Sequence, residues 1–414
     1  MKLYELIKRE WLYIFKTPKI FAILFIVPIF YTLLFGYSYS ANTLKEIKTV
    51  VVDHDQSQLS REIIQAFQES ETFNIVGYLN SEKEIEEALA LGEVKVGLII
   101  PENFYGKLIS GENTPLLTII DGSNLIYTNY ATRAANTIVS TYSFGTSLTK
   151  LQQTGLHEDE VKTTLSHIPY RSRVLYNPTS NYSMFLVYGL VGTILQQVLF
   201  LGISLTISRE RENGIWHQFA EWKYTPWRLA FAKTSPYFMI NLINTLTTLF
   251  LCLYVFKLPL EGDILALFIL SCSFTFSVLG IGYLASLFAK TQLTATQVSM
   301  LVALPSFVLS GFTWPLETMP KFLVSISQIL PLTHYLDGFR HIVLKGNSID
   351  FIWNDVISLL LIGLISFLIA FLATRFLFFR EDTTNLKETL VDERFRLDNT
   401  EKLNPIPEAE HQGS

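Results

Sequence analysis

The chain has 414 residues, 49% hydrophobic and 14% aromatic, with only 17% charged, against about 25% charged in ordinary soluble domains. A net charge of −5 offers no basic surface for nucleic acid. The two cysteines, Cys252 and Cys272, both lie in apolar runs and exclude a disulfide framework or a cysteine metal centre. This composition points to the bilayer, because the buried helices of a large soluble protein rarely lack charge over such lengths.

Residues 1–19 read as a cytosolic amphipathic helix lying in the membrane interface. Leu3, Leu6, Ile7, Trp11 and Ile14 share a face, while Glu5, Lys8, Arg9 and Lys16 lie largely elsewhere. Trp11 falls at headgroup level against membrane lipid, and Pro18 ends the helix. A first transmembrane span follows at 20–44. A cleaved signal peptide, with "SYSA" (38–41) as its end, is the competing reading. It is disfavoured by the length of the apolar run and its start at residue 20.

Residues 45–181 alternate strand and helix signals. Strands are predicted at 47–55, 73–79, 95–101 and 115–124. Helices are predicted at 57–70, at 81–94 with Ser81 and Glu84 as a capping pair, at 101–110, and from Leu125 to Gln153. This is the pattern of a small extracytoplasmic α/β domain. Uncharged runs at 182–208, 234–256, 264–289, 291–316 and 356–374 then form a five-span domain over 182–380. The fold class is thus a mainly α-helical polytopic membrane protein with six transmembrane helices, its α/β domain between the first and second spans.

Lysines and arginines set the orientation. They cluster before the first span, after the second, after the fourth at Lys290 and after the sixth at Arg375 and Arg380. One side receives all four groups if both termini are cytosolic. Lys321, Arg340 and Lys345 in the outer loop oppose this and are outnumbered. The tail 381–414 is a cytosolic segment, disordered at its end "NPIPEAEHQGS".

Two segments interrupt the spans. "SRERENGIWHQFAEWKYTPWRLAFAK" (208–233) is charged and rich in tryptophan. Leaving Arg209, Glu210, Arg211 and Glu212 at the centre of the hydrocarbon costs about 2.5–3.5 kcal/mol per charge, so they are expected to leave it. Gly214 supplies a bend, Trp216, Phe219 and Trp222 are available to a surface, and Pro226 opens the next helix with Thr225 as cap. Lys233 marks re-entry, and the whole of 209–233 reads as a helical elbow suited to transmit force from a soluble partner. In 315–346, Pro315, Pro320 and Pro331 break an amphipathic stretch into short helices dipping into the outer face, with Trp314 and Tyr335 as interface anchors. Such a stretch closes the outer end of a pathway; a plain surface loop is the alternative.

Motifs of catalysis are missing. No G-x-x-x-x-G-K-[ST], G-x-S-x-G or H-E-x-x-H occurs. "DHD" (53–55) lies between a strand and a helix, where turn chemistry accounts for it better than a metal, and His334 with Asp337 offers two metal ligands at most. Gln196, Gln197, Asn241, Asn244 and Gln297 are amides in uncharged spans, suited either to helix–helix hydrogen bonds or to lining a substrate path. No carboxylate or basic residue lies deep in a span, which disfavours an ion relay.

Arg209, Glu210, Arg211, Glu212, Gly214, Pro226 and Lys233 together resemble the R-E-R-E-x-G…P…K signature of ABC type-2 exporter permeases, with "GI" where "GT" is usual. The stretch 314–346 looks like the same family's segment before its last span, and 51–60, 92–104 and 121–124 resemble the external domain of its multidrug-type branch. The resemblance covers roughly 1–380. It implies a permease of the bacterial inner membrane that is no enzyme and holds no cofactor. ATP and Mg would be bound by a separate ABC ATPase subunit docking on the leader helix and on the elbow, with Trp216 among the coupling residues. It further implies a second permease copy or paralogue, a periplasmic adaptor in Gram-negative relatives, and drug-like or other hydrophobic cargo. Lipid, polymer or ion export remains an alternative cargo class. A membrane sensor with an external ligand-binding domain would need a signalling module that the tail is too short to hold. An intramembrane enzyme would need convergent catalytic groups where only amides and hydroxyls are found.

Overall fold

The computed structural model describes residues 3–39, 44–110, 112, 114–153, 175–177, 181–221 and 225–403, with side chains at 144–153, 182–183, 217, 220–221 and 378–403 outside that description. Trp222, Lys223 and the tail end 404–414 lie outside the described residues. The chain divides into two units, Ala41–Leu175 and the remainder.

In the smaller unit, Val50, Val51 and Val52 are the sequence of a strand buried on both faces. They sit in β1 (Ile47–Asp53), centre of a sheet with β2 (Phe73–Tyr78), β3 (Val96–Ile100) and β4 (Leu117–Ile120) in the order β2-β1-β3-β4. β1 runs parallel to β2 and β3, and β4 is antiparallel to β3. Ile47 and Val51 join a core with Ile63 and Phe67 of helix Gln58–Glu69 and Ala131 of helix Leu125–Gln153. Val50 and Val52 face the other way, onto Ile85 of helix Glu82–Ala90. Asp53 caps the end of β1: its Oδ1 accepts from the Asp55 and Gln56 amides, both at 3.0 Å, and its Oδ2 accepts from Ser60 Oγ at 2.8 Å. The "DHD" motif is therefore used as a turn.

Among the described residues, the larger unit holds six helices long and apolar enough to cross a membrane: Pro18–Ser38, Met184–Glu212, Pro226–Val255, Ile264–Phe288, Gln292–Leu309 and Ile349–Leu377. The fourth is the hub, packing on the second, third and sixth. A side chain at Gly280 would lie 3.0 Å from the Gly363 carbonyl oxygen, so the fourth and sixth helices meet where that side chain is missing. The sixth helix continues unbroken to Leu403, through the first part of the expected tail.

The first span contains a π turn, Ala22–Ile26, with a local cause. The Leu24 carbonyl would bond the amide of residue 28, but Pro28 has no N–H. Asn244 of the third span takes the orphaned carbonyl, its Nδ2 donating at 2.7 Å. Asn241 likewise donates to Thr275 Oγ1 of the fourth span at 2.9 Å. Both asparagines thus join helix to helix. Gln196 and Gln197 keep buried amide oxygens with no partner among the described residues, and Gln297 is exposed.

Between the fifth and sixth spans run a short 3₁₀ turn Leu316–Thr318 and helices Lys321–Ser327 and Pro331–Val343. Pro320 and Pro331 stand at the starts of the two helices, where a missing amide costs nothing. Trp314 is exposed, as an interface anchor requires, but Tyr335 is only 2% exposed and stacks on Phe274 of the fourth span with ring centroids 4.0 Å apart. The expected anchor at Tyr335 is a core residue instead, because helix Pro331–Val343 packs against both the fourth and sixth spans.

Candidate functional site

Leu6, Glu10 and Ile14 follow one another at four-residue spacing and are the buried residues of the leader helix Leu3–Lys16. A carboxylate in that row is destabilising unless paired. Its partners come from the end of the second span and the start of the third. Arg209 Nη2 donates to both Glu10 oxygens at 3.1 Å, Lys233 Nζ donates to Glu10 Oε2 at 2.7 Å, and Tyr237 Oη donates to Glu10 Oε1 at 3.2 Å. Lys233 also donates to Glu210 Oε1 at 2.6 Å, and Arg9 Nη2 donates to Glu210 Oε2 at 2.8 Å. The Arg209 guanidinium lies 3.5 Å from the centre of the Tyr13 ring. Burial pushes the Glu10 carboxyl up, but Lys233 and Arg209 more than reverse this and hold it at about 2.

Arg209, Glu210 and Lys233 are 5%, 1% and 3% exposed. Three of the expected coupling residues are therefore buried in protein rather than open to a partner, and mutual pairing offsets the cost of burying their charges. Trp216 and Phe219 on the short helix Trp216–Glu221 are also buried in the main core rather than presented to a surface. What remains outside is the turn itself. Arg211 lies partly exposed with its guanidinium 5.0 Å from the Trp216 ring centre, and Glu212 and Gly214 are exposed. Gly214 has φ +70°, and its amide and that of Ile215 bond back to the Arg211 and Glu210 carbonyls at 3.0 and 2.9 Å. This is a helix end that needs glycine in the left-handed region. Glu212 Oε2 accepts from the Gln292 amide and Nε2 at 3.1 and 2.9 Å, tying the end of the second span to the first turn of the fifth. Pro226 opens the third span at its first turn.

A second polar cluster lines a cavity of 540 Å³ between segment 310–317, helix Pro331–Val343 and the sixth span. His334 pairs with Asp355 of the sixth span at 3.5 Å, rather than acting with Asp337. Its Nε2 lies 3.0 Å from the Gln328 carbonyl oxygen, so both ring nitrogens face acceptors and the protonated ring fits best. Burial alone lowers the His334 pKa; Asp355 and the Gln328 carbonyl outweigh it and raise it. Arg340 Nη2 donates to the Phe312 carbonyl at 3.2 Å. No group of three or more metal-ligating side chains occurs among the described residues.

The family model of ABC-2 family transporter proteins matches residues 18–372, which takes in the first five spans and most of the sixth, with the leader helix Leu3–Lys16 outside the match. The chain belongs to this family. Among its relatives, the probable multidrug ABC transporter permease YbhR of Escherichia coli (strain K12) is 28% identical over 87% of this chain and 95% of its own length. The inner membrane transport permease YhhJ of the same strain is 25% identical over 78% of this chain and 84% of its own. The linearmycin resistance permease protein LnrN of Bacillus subtilis (strain 168) is 22% identical over 88% and 94%. The ABC-2 assignment makes this a multi-pass inner-membrane protein with a transporter permease role.

Within this ABC-2 chain, sequence reasoning named every member of the charge cluster except its centre, Glu10, and that member's neighbours Arg9 and Tyr237. The missed signal was present: Glu10 stands three residues after Ile7, four after Leu6 and four before Ile14, inside the apolar row that identified the helix.

Proposed function

We propose that the chain is the membrane-embedded half of an ATP-driven exporter, coupled to a separate ATPase subunit that binds ATP and Mg. In this reading both termini and the 209–233 turn are cytosolic, and 45–181 is periplasmic, where an adaptor would meet it. Two copies, or this chain and a paralogue, enclose the pathway. Gln196 and Gln197, whose amide oxygens have no partner among the described residues, are the residues to face it, and 315–346 closes its outer end. The relatives named as multidrug and resistance permeases support hydrophobic small molecules as cargo.

The charge cluster carries this reading. It pins the leader helix to the ends of the second and third spans through Glu10, Glu210 and Lys233, while Arg211, Glu212 and Gly214 remain at the surface beside it. An ATPase pressing on the leader and the exposed turn would therefore move three elements as one body, and Glu212–Gln292 passes the displacement to the fifth span. The test exchanges the charges, Arg211→Glu with Glu212→Arg, in cells expressing the neighbouring ATPase. We expect loss of ATPase co-purification and of ATP-driven ethidium transport in vesicles. Association and transport both unchanged would overturn the coupling assignment.

A further inference from the structure

We propose that the third, fourth and sixth spans form a binding site for one anionic phospholipid, with an acyl chain in an apolar groove and the phosphate at Arg228 and Arg375. The groove has a volume of 430 Å³, and its walls include Trp227, Phe231, Phe238, Phe276, Leu364 and Phe367. Phe231 and Leu364 are 57% and 55% exposed on spans whose surroundings are hydrocarbon, so the groove opens to lipid rather than to water.

Two observations identify the occupant. The first is length. From Trp227 to Met239 the groove follows the third span for twelve residues, about 18 Å at 1.5 Å per residue. That is close to one leaflet of a hydrocarbon core about 30 Å thick. The second is charge at one end only. Trp227 stacks on Phe371 with ring centroids 5.2 Å apart, which places the start of the third span and the end of the sixth at the same depth. Arg228 follows Trp227 directly, and Arg375 stands one helical turn beyond Phe371. Both arginines are exposed, and neither has a hydrogen bond or ion pair among the described residues. Basic side chains beside a cleft between spans are the usual receptor for an anionic headgroup.

The site is separate from the charge cluster, whose Lys233 is saturated by Glu10 and Glu210. It stands independently of the coupling assignment. The test uses native mass spectrometry on the full-length protein, delipidated in detergent and titrated with palmitoyl-oleoyl phosphatidylglycerol or phosphatidylcholine. We expect one phosphatidylglycerol per chain, held roughly tenfold more tightly than phosphatidylcholine. Arg228→Gln with Arg375→Gln should level the two lipids without lowering the melting temperature, since both side chains are exposed. Leu364→Trp should weaken both lipids by filling the groove. Glycerol phosphate at equal concentration should displace neither. Equal affinity for the two lipids in the unaltered protein, or a preference surviving the double arginine substitution, would overturn the proposal. Displacement by glycerol phosphate alone would assign the arginines to a soluble anion and overturn it too.

Discussion

The larger unit has two polar clusters of opposite character. Around Glu10 every carboxylate oxygen is taken: Glu10 by Arg209, Lys233 and Tyr237, Glu210 by Lys233 and Arg9. Around His334 a single pair at 3.5 Å borders a 540 Å³ cavity, with Asp337 and Glu317 exposed beside it. The first is closed and over-determined. The second is open and loosely paired, and holds a histidine whose pKa Asp355 and the Gln328 carbonyl raise against the effect of burial. Similar residue types yield a saturated network in one place and a lone pair beside a cavity in the other, and the difference lies in how many partners each charge has.

Removing the centre of the closed cluster tests this most severely. Glu10→Gln leaves Arg209 and Lys233 buried with one carboxylate between them, and breaking a buried pair in this way costs about 3–5 kcal/mol. We expect a large fall in melting temperature and in yield of folded protein. Lys233→Met in the Glu10→Gln background should recover part of it, because fewer unpaired charges remain buried. Gly214→Ala is the next largest: φ +70° disfavours any side chain, at about 1 kcal/mol. Its expected signature is a lowered melting temperature and weaker coupling to the ATPase, with the charge cluster intact.

Asn244→Leu should cost about 0.6 kcal/mol, the typical worth of a hydrogen bond between spans, read as a small shift in thermal unfolding in detergent. The smallest effect distinguishes the clusters by pH. The Glu10 carboxyl is depressed to about 2, so its contribution is present above pH 4.5 and is lost only as pH falls toward 2. His334 is raised, so its contribution is present below its unfolded pKa of about 6.5 and is lost as pH rises through the higher folded value. Melting curves between pH 5 and 9 should show a gentle decline that His334→Gln removes and Glu10→Gln leaves in place. Asp337, Arg340 and Glu317 share the cavity and set its baseline.

Much of the architecture was legible because it is written in local patterns. Uncharged runs marked the six spans, and the period change at residues 45–125 marked sheet and helix. Gly214 and Pro226 marked a helix end and a helix start. Pairings between distant segments were not legible. Glu10 meets Arg209 and Lys233 across 199 and 223 residues, and no periodicity reports that. The energetic argument about Arg209 and Glu210 treated them as isolated charges, and so gave no sign that they are buried in protein against Glu10, Lys233 and Arg9. Tyr335 misled for a related reason: tyrosine suits a membrane interface, but Phe274 was waiting for it in the core.

The proline in the first span has an evolutionary corollary. Pro28 withholds the α-helical donor from the Leu24 carbonyl and Asn244 supplies another, across 220 residues of chain, so the two positions are coupled. A lineage that lost the proline would regain an ordinary helix there and release the asparagine from duty. Paired replacement, Pro28→Ala with Asn244→Leu, should therefore be better tolerated than Asn244→Leu by itself. Such a pair would trade one way of locking two helices together for another.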